Sequence, residues 1–169
     1  MTANLLGATA LAVTDLALSG AARAAGVSTS GAAALVVLLT SDKVSVTELG
    51  RRVGLSQSAA ARMVDGLETA GLVERRPGGG RMVTVRPTAA GRRVARDLLR
   101  ARDAPLTDML DALDDDEQET LAALLAKLLT RLYGVVGDAN LMCRLCDRHS
   151  CGEHDTPCPV GQAERDRER

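Results

Sequence analysis

All four cysteines of this 169-residue chain, and both of its histidines, fall in the run CRLCDRHSCGEHDTPC: Cys143, Cys146, His149, Cys151, His154 and Cys158. Thiolates and imidazoles are ligands for soft metals, so their concentration in one short stretch points to metal or redox chemistry. The spacing C-x2-C-x4-C-x6-C-P leaves three chemistries open. Four thiolates, or three with His149 or His154, can hold a zinc ion in a tetrahedron, although the short later spacings make a cramped loop. Four thiolates can hold an iron–sulfur cluster, and a Cys-Pro ending such as Cys158-Pro159 is found in such runs. Metal-free thiols can sense oxidants by forming disulfides. Permanent disulfides need an oxidising compartment. The opening MTANLLGATALAVTDLALSG has no basic lead-in and is interrupted by Asp15. No secretory leader is expected, and the chain is read as cytoplasmic.

A second set of residues is suited to reading DNA: Ser56, Gln57, Ser58, Ala61 and Arg62, followed by Arg75, Arg76, Arg81 and Arg86. Glutamine pairs with adenine, arginine with guanine or phosphate, and serine with either, while a small alanine can meet a thymine methyl. The net charge of −1 argues against nucleic acid, but its distribution argues for it. Residues 43–102 carry thirteen Lys and Arg against five Asp and Glu, a surplus of eight positive charges; residues 103–169 carry seven against fifteen, a deficit of eight. A basic middle beside an acidic C-terminal part suits a protein with one face on phosphate. A merely solvated charged surface is the plain alternative, and charge alone does not choose.

The elements that must position these residues follow from periodicity and caps. Residues 4–25 read as a weakly amphipathic helix, and 28–40 as a helix buried on most sides through ALVVLL. Ser45 and Glu48 have capping-box spacing, so a helix starts after Ser45 and ends at Gly54. Ser56 then caps a second helix, 57–69, terminated by Gly71. Two short helices joined by GLS make a helix-turn-helix. On its second helix Ala60, Met63, Val64 and Leu67 face inward, which leaves Gln57, Ser58, Ala61 and Arg62 for the groove. Residues 72–76 and 82–86 read as strands around the turn PGGGR, a hairpin whose arginines can reach the backbone or minor groove. Arg51 and Arg52 on the first helix are further candidates for the DNA backbone.

Thr88 opens a long helix, and Pro105 predicts a kink or restart near 102–105. Asp114 and Glu117 cap a last helix. Its Leu121, Leu124, Leu125, Leu128 and Leu132 form one apolar face at helical period, widened by Leu129, and that face needs a partner surface. The fold class is therefore mainly α with a small β-hairpin wing. Residues 1–42 supply N-terminal helices, 43–87 the winged helix-turn-helix, 88–137 the dimerisation helices, 138–160 the cysteine segment and 161–169 a disordered tail. With no Trp, no Phe and one Tyr, the core must be aliphatic. Within the longest uncharged stretch, 24–41, only 32–39 is continuously apolar and too short to span a bilayer, so no membrane partner is expected.

The run VTELGRRVGLSQSAAARMVDGLETAGLVERR, followed by GGGRMVTVRPTAAGRRV, resembles the MarR (multiple antibiotic resistance regulator) family of bacterial transcription regulators. The resemblance covers residues 36–132. It implies an obligate homodimer whose first and last helices interlock, a palindromic operator in double-stranded DNA, and a small-molecule effector bound where the helices meet the winged domain. It also implies that Gln57, Ser58, Ala61 and Arg62 meet the groove and that Arg81 is the wing-tip arginine. The wing is about two residues shorter than is usual there, Gly79 replaces the customary acidic residue, and Pro87 replaces an apolar residue.

The function expected is thus a homodimeric regulator, a repressor, under metal or redox control from the cysteine segment. The rival class is a small metallo- or redox protein with the cysteines as active centre. No acid/base pair, nucleophile–base arrangement or phosphate loop is present to support an enzyme, since PGGGR lacks the Lys-Ser/Thr ending. Beyond zinc or an iron–sulfur cluster no cofactor is expected.

Overall fold

The computed structural model describes residues 1–19, 22, 25–41, 43–78, 83–148, 151 and 158–169. Helix α1 (Thr2–Val13) buries none of its residues and continues into a π-helical stretch, Thr14–Ser19. The uniform helix expected over 4–25 is thus divided. At the junction the Thr14 hydroxyl donates to the Ala10 carbonyl at 2.7 Å, a side-chain bond that competes with the regular ladder.

Helix α2 (Thr29–Leu39) is capped by Ser28, whose Oγ accepts from the Gly31 N–H at 3.1 Å. Ala32 to Leu38 are all buried, which is why this helix shows almost no polar face. Strand β1 (Val44–Ser45) comes next, then α3 (Val46–Arg52), α4 (Gln57–Thr69), β2 (Val73–Pro77) and β3 (Val83–Pro87). The sheet is antiparallel in the order β1-β3-β2, with Val44 opposite Val85 and Val73 opposite Pro87. The hairpin is the expected wing. Strand β1 was not foreseen, because two residues are too few to carry a period.

Helix α5 (Ala89–Leu110) runs without a break through Pro105. Of the expected kink or restart near 102–105, the restart is therefore corrected. Proline removes one ladder bond, and the helical turns on both sides carry the helix past it. Helix α6 (Asp115–Val136) has the full capping box, with Asp114 and Glu117 each bonding the other's backbone N–H, and ends at Gly137 with φ +68°. A short helix α7 (Ala139–Met142) leads into the cysteine segment.

The last correction concerns the C-terminus. Residues 161–169 are charged enough to predict disorder, yet α8 (Pro159–Arg167) covers most of them. Proline at its first position suits a helix start, and Val160 is buried with Tyr133 and Ala139. Packing against α6 supplies the stability that the sequence of α8 lacks alone.

The main core is aliphatic throughout. Leu35 and Leu38 of α2, Leu49 of α3, Val64 and Leu67 of α4, Val73 and Val85 of the sheet and Leu98 of α5 pack as one cluster. It clamps the helix-turn-helix and the wing into one body.

Candidate nucleic-acid interface

The position of α4 is set by a close crossing with α3. A Cβ on Gly50 would stand 2.5 Å from the Cβ of Ala60, so these two small residues let the helices approach. The turn between them is held by the Leu55 N–H donating to the Gly50 carbonyl at 2.8 Å. Gly54 there has φ +74°, which glycine adopts without strain. Ser56 then accepts from the Ala59 N–H at 3.4 Å and caps α4.

From this start the predicted reading residues fall where the period places them. Gln57, Ser58 and Arg62 are exposed and Ala61 is half-buried, while Ala60, Val64 and Leu67 are buried. Met63 is half-buried against the core. Ser56 is exposed but engaged as the cap. Arg62 has no ion-pair partner among the described residues.

The other arginines divide by what already holds them. Arg75 donates to Asp65 at 2.6 Å and also pairs with Glu68, so it ties β2 to α4. Its pKa is raised, chiefly by the hydrogen bond to Asp65. Arg76 is exposed and paired with Glu74 on its own strand at 2.8 Å. Arg86 is exposed and opposite Glu74 in the register. Arg81 lies outside the described residues. Arg51 and Arg52 both donate to Glu48. Hydrogen bonds from Arg51 and then Arg52 hold the Glu48 carboxyl down at about 2. Arg52 also reaches Ser41 at 2.9 Å. Both arginines are thus engaged within the protein, Arg51 by Glu48 and Asp138 and Arg52 by Glu48 and Ser41. Arg75 likewise acts first as a brace.

Sequence reasoning missed Gly50 and Asp138, and read Glu48 only as a cap partner of Ser45, not as the acceptor of Arg51 and Arg52. Gly50 was legible in principle, since a lone glycine inside the helical pattern ELGRR implies a packing reason. Asp138 was not: its Oδ2 accepts from Arg51 at 2.7 Å, across a separation no local pattern encodes.

The four cysteines are free thiols in two hydrogen-bonded pairs. The Cys143 S–H donates to Cys146, which lowers the pKa of Cys146; Arg102 and Arg148 act in the same direction against burial. The same pairing raises Cys143. Burial is the main cause raising Cys151, whose thiol bonds Cys158. Among the described residues no three His, Cys, Asp or Glu side chains are grouped at metal-binding distance. His149 and His154 lie outside the described residues.

The predicted dimerisation face is bare. Leu124, Leu125, Leu128 and Leu132 are between 42% and 51% exposed, and Val135 more so; Leu121 is half-buried. Leu5, Leu6 and Leu11 of α1 are exposed as well. No described helix is long and apolar enough to cross a membrane.

A model of the MarR family matches residues 25–82, which takes in α2, the helix-turn-helix and β2. The uncharacterised HTH-type transcriptional regulator YdgJ of Bacillus subtilis is 27% identical over 112 residues, 65% of this chain and 68% of YdgJ. A MarR-family transcriptional regulator from Silicibacter pomeroyi has a solved structure that is 29% identical. It superposes with a TM-score of 0.58 over 76% of this chain and 88% of its own. MepR, a regulator of a Staphylococcus aureus multidrug efflux pump, is only 16% identical and shows the shared fold alone. Its TM-score is 0.69 over 78% of this chain and 98% of MepR.

Proposed function

Because this chain belongs to the MarR family of transcription regulators, we propose that it acts as a homodimer that reads a palindromic operator in double-stranded DNA and represses by occupying it. One observation carries the reading. The N-terminal half of α4 presents Gln57, Ser58 and Arg62 to solvent on a helix whose opposite face is locked into the core. A helix so held can enter a major groove without losing its own packing, and its exposed groups match the donors and acceptors of base edges. The wing beside it carries Arg76 and Arg86 toward the flanking backbone.

Dimerisation is supported by the bare leucine face of α6 and the unburied α1. Covering the exposed half of one such leucine contributes about 1 kcal/mol, and several stand in register along α6. A two-fold axis there would give two reading helices and hence a two-fold site. Two places for control are open. A cavity of about 190 Å³ between Val13, Ala17, Arg102, Leu106, Leu145 and Cys146 is suited to a small effector with an anionic group facing Arg102. The cysteine segment is the other. A redox or metallo-enzyme reading has only the cysteines in its favour.

The test is selection of bound sequences from a random-core duplex library by the purified protein. Palindromic sites with half-site centres about 10–10.5 base pairs apart, bound with a steep salt dependence, are expected. Recovery of unenriched sequence would overturn the reading.

A further inference from the structure

The cysteine segment is docked on the helix-turn-helix of its own chain. Asp138 both accepts from Arg51 of α3 at 2.7 Å and caps α7 by accepting from the Leu141 N–H at 3.1 Å. The Leu141 Cδ1 atom stands 3.0 Å from where a Cβ on Gly54 would be, in the turn that leads to the reading helix. Leu145, between Cys143 and Cys146, packs against the main core. Cys143 and Cys158 both pack against Tyr133, Ala139 and Val160.

The two thiol pairs are neighbours. Cys143 interacts electrostatically with Cys158, and Cys146 with Cys151. Arg102 of α5, itself paired with Asp103 at 2.7 Å, and Arg148 face Cys146 with positive charge, with Asp103 opposing. Two cations beside four thiols are the compensation that a tetrathiolate centre, with its net negative charge, requires. The segment itself is weakly built. Its helix α7 has four residues, far below what holds a helix in water, and its apolar anchor is three buried side chains. Segments of this size are normally fastened by a cross-link or a metal.

We propose that Cys143, Cys146, Cys151 and Cys158 together bind one thiophilic metal centre, a zinc ion or an iron–sulfur cluster, and that loading this centre fastens the segment against the Gly54 turn and so sets the reading helix. The thiols stand as two pairs rather than one closed set, so loading draws the pairs together. Cys143 is two residues from Leu141 and five from Asp138, and its movement is carried directly to Gly54 and Arg51. The regulatory half of the proposal rests on the regulator reading above; the metal half does not.

The experiment uses the full chain purified without oxygen. Zinc, iron and sulfide are measured per chain, and chelator-stripped protein is titrated with Co²⁺ to read the thiolate charge-transfer band. Near-stoichiometric zinc, or iron with matching sulfide, is expected and identifies which centre it is. Cys143→Ser with Cys146→Ser should abolish both metal content and the cobalt band, while unfolding of the winged core stays cooperative. Absence of metal at purification, together with no cobalt uptake by the stripped chain, would overturn the site. For a selected duplex, stripping should change affinity by about 5–150-fold, the usual range of site coupling. Asp138→Asn should keep the metal and shrink that change. Metal bound with equal DNA affinity in both states would overturn the coupling. Metal bound with no DNA binding in either state would count against the regulator reading instead, and would leave the site standing.

Discussion

The carbonyl oxygen of Leu72 lies 1.9 Å from the position a Cβ would take on Gly91. The first turn of α5 therefore sits directly on the chain leaving α4. The Thr88 hydroxyl completes the joint. It donates to the Gly71 carbonyl at 2.7 Å and accepts from the Gly91 N–H at 3.0 Å. Through this contact the long helix that leads to α6 is fixed to the end of α4.

Gly91→Ala should therefore be among the costly single changes, because the clash is with backbone and neither side can yield cheaply. A loss of about 1–3 kcal/mol is expected from overpacking. Gly66, in mid α4 with nothing within 4 Å of a built Cβ, is the control. Gly66→Ala should gain roughly 0.5–1 kcal/mol from helix propensity. Urea unfolding of the two variants reads opposite signs if the joint is as described.

At the α3–α4 crossing the expectation is a compensating pair. Gly50→Ala places a methyl 2.5 Å from the Ala60 Cβ and should cost about 1–3 kcal/mol. Ala60→Gly alone should cost close to 1 kcal/mol in helix propensity. Combined, the two should cost less than their sum, with a coupling above about 0.5 kcal/mol. Strict additivity would mean that the helices do not meet there.

Arg62 and Arg75 separate reading from bracing. Arg62→Ala should leave the unfolding midpoint within about 0.5 kcal/mol, while preference for the selected operator over a single-base variant falls by about 10–100-fold. Arg75→Ala breaks the link of β2 to Asp65 and Glu68 and should lower stability, with a more even loss of affinity across sequences. Exchange of those two phenotypes would reverse the assignment.

Acid should reach the helix-turn-helix through Glu48. Folded Glu48 titrates at about 2, against 4.5 for the free side chain. Its contribution is therefore complete above 4.5 and is lost as pH falls toward 2. Glu48→Gln removes this titration. The stability gap between wild type and variant should be constant near neutrality and close progressively between about pH 5 and pH 2. A gap that ignores pH would place the carboxylate away from Arg51 and Arg52.

Leu128→Glu puts a charge on the exposed face of α6 without touching the main core. Sedimentation should show a monomer, and affinity for a palindromic site should fall by at least about tenfold as the second half-site is lost. A dimer that survives Leu128→Glu would move the interface elsewhere.

Local rules decided much of this protein in advance. Ser28, Ser45, Ser56, Thr88 and Asp114 cap the helices that follow them, because a cap needs only a side-chain oxygen within three residues of an orphan N–H. The period of Ala60, Val64 and Leu67 fixed which face of α4 turns inward, and with it the outward set Gln57, Ser58 and Arg62. Tertiary structure decided what depends on contacts far apart in sequence. Strand β1 exists only because Val44 lies opposite Val85. Pro105 is carried through α5, and the charged C-terminus is helical because Val160 finds Tyr133. Arg51 and Arg75 carry the same charge as Arg62 in the sequence, and only the fold brings Asp138 to Arg51 and Asp65 and Glu68 to Arg75. The docking of Asp138 on Arg51 and of Leu141 on Gly54 belongs to the same class. Sequence spacing could gather the cysteines into one stretch, but only packing could put that stretch against the turn of the reading head.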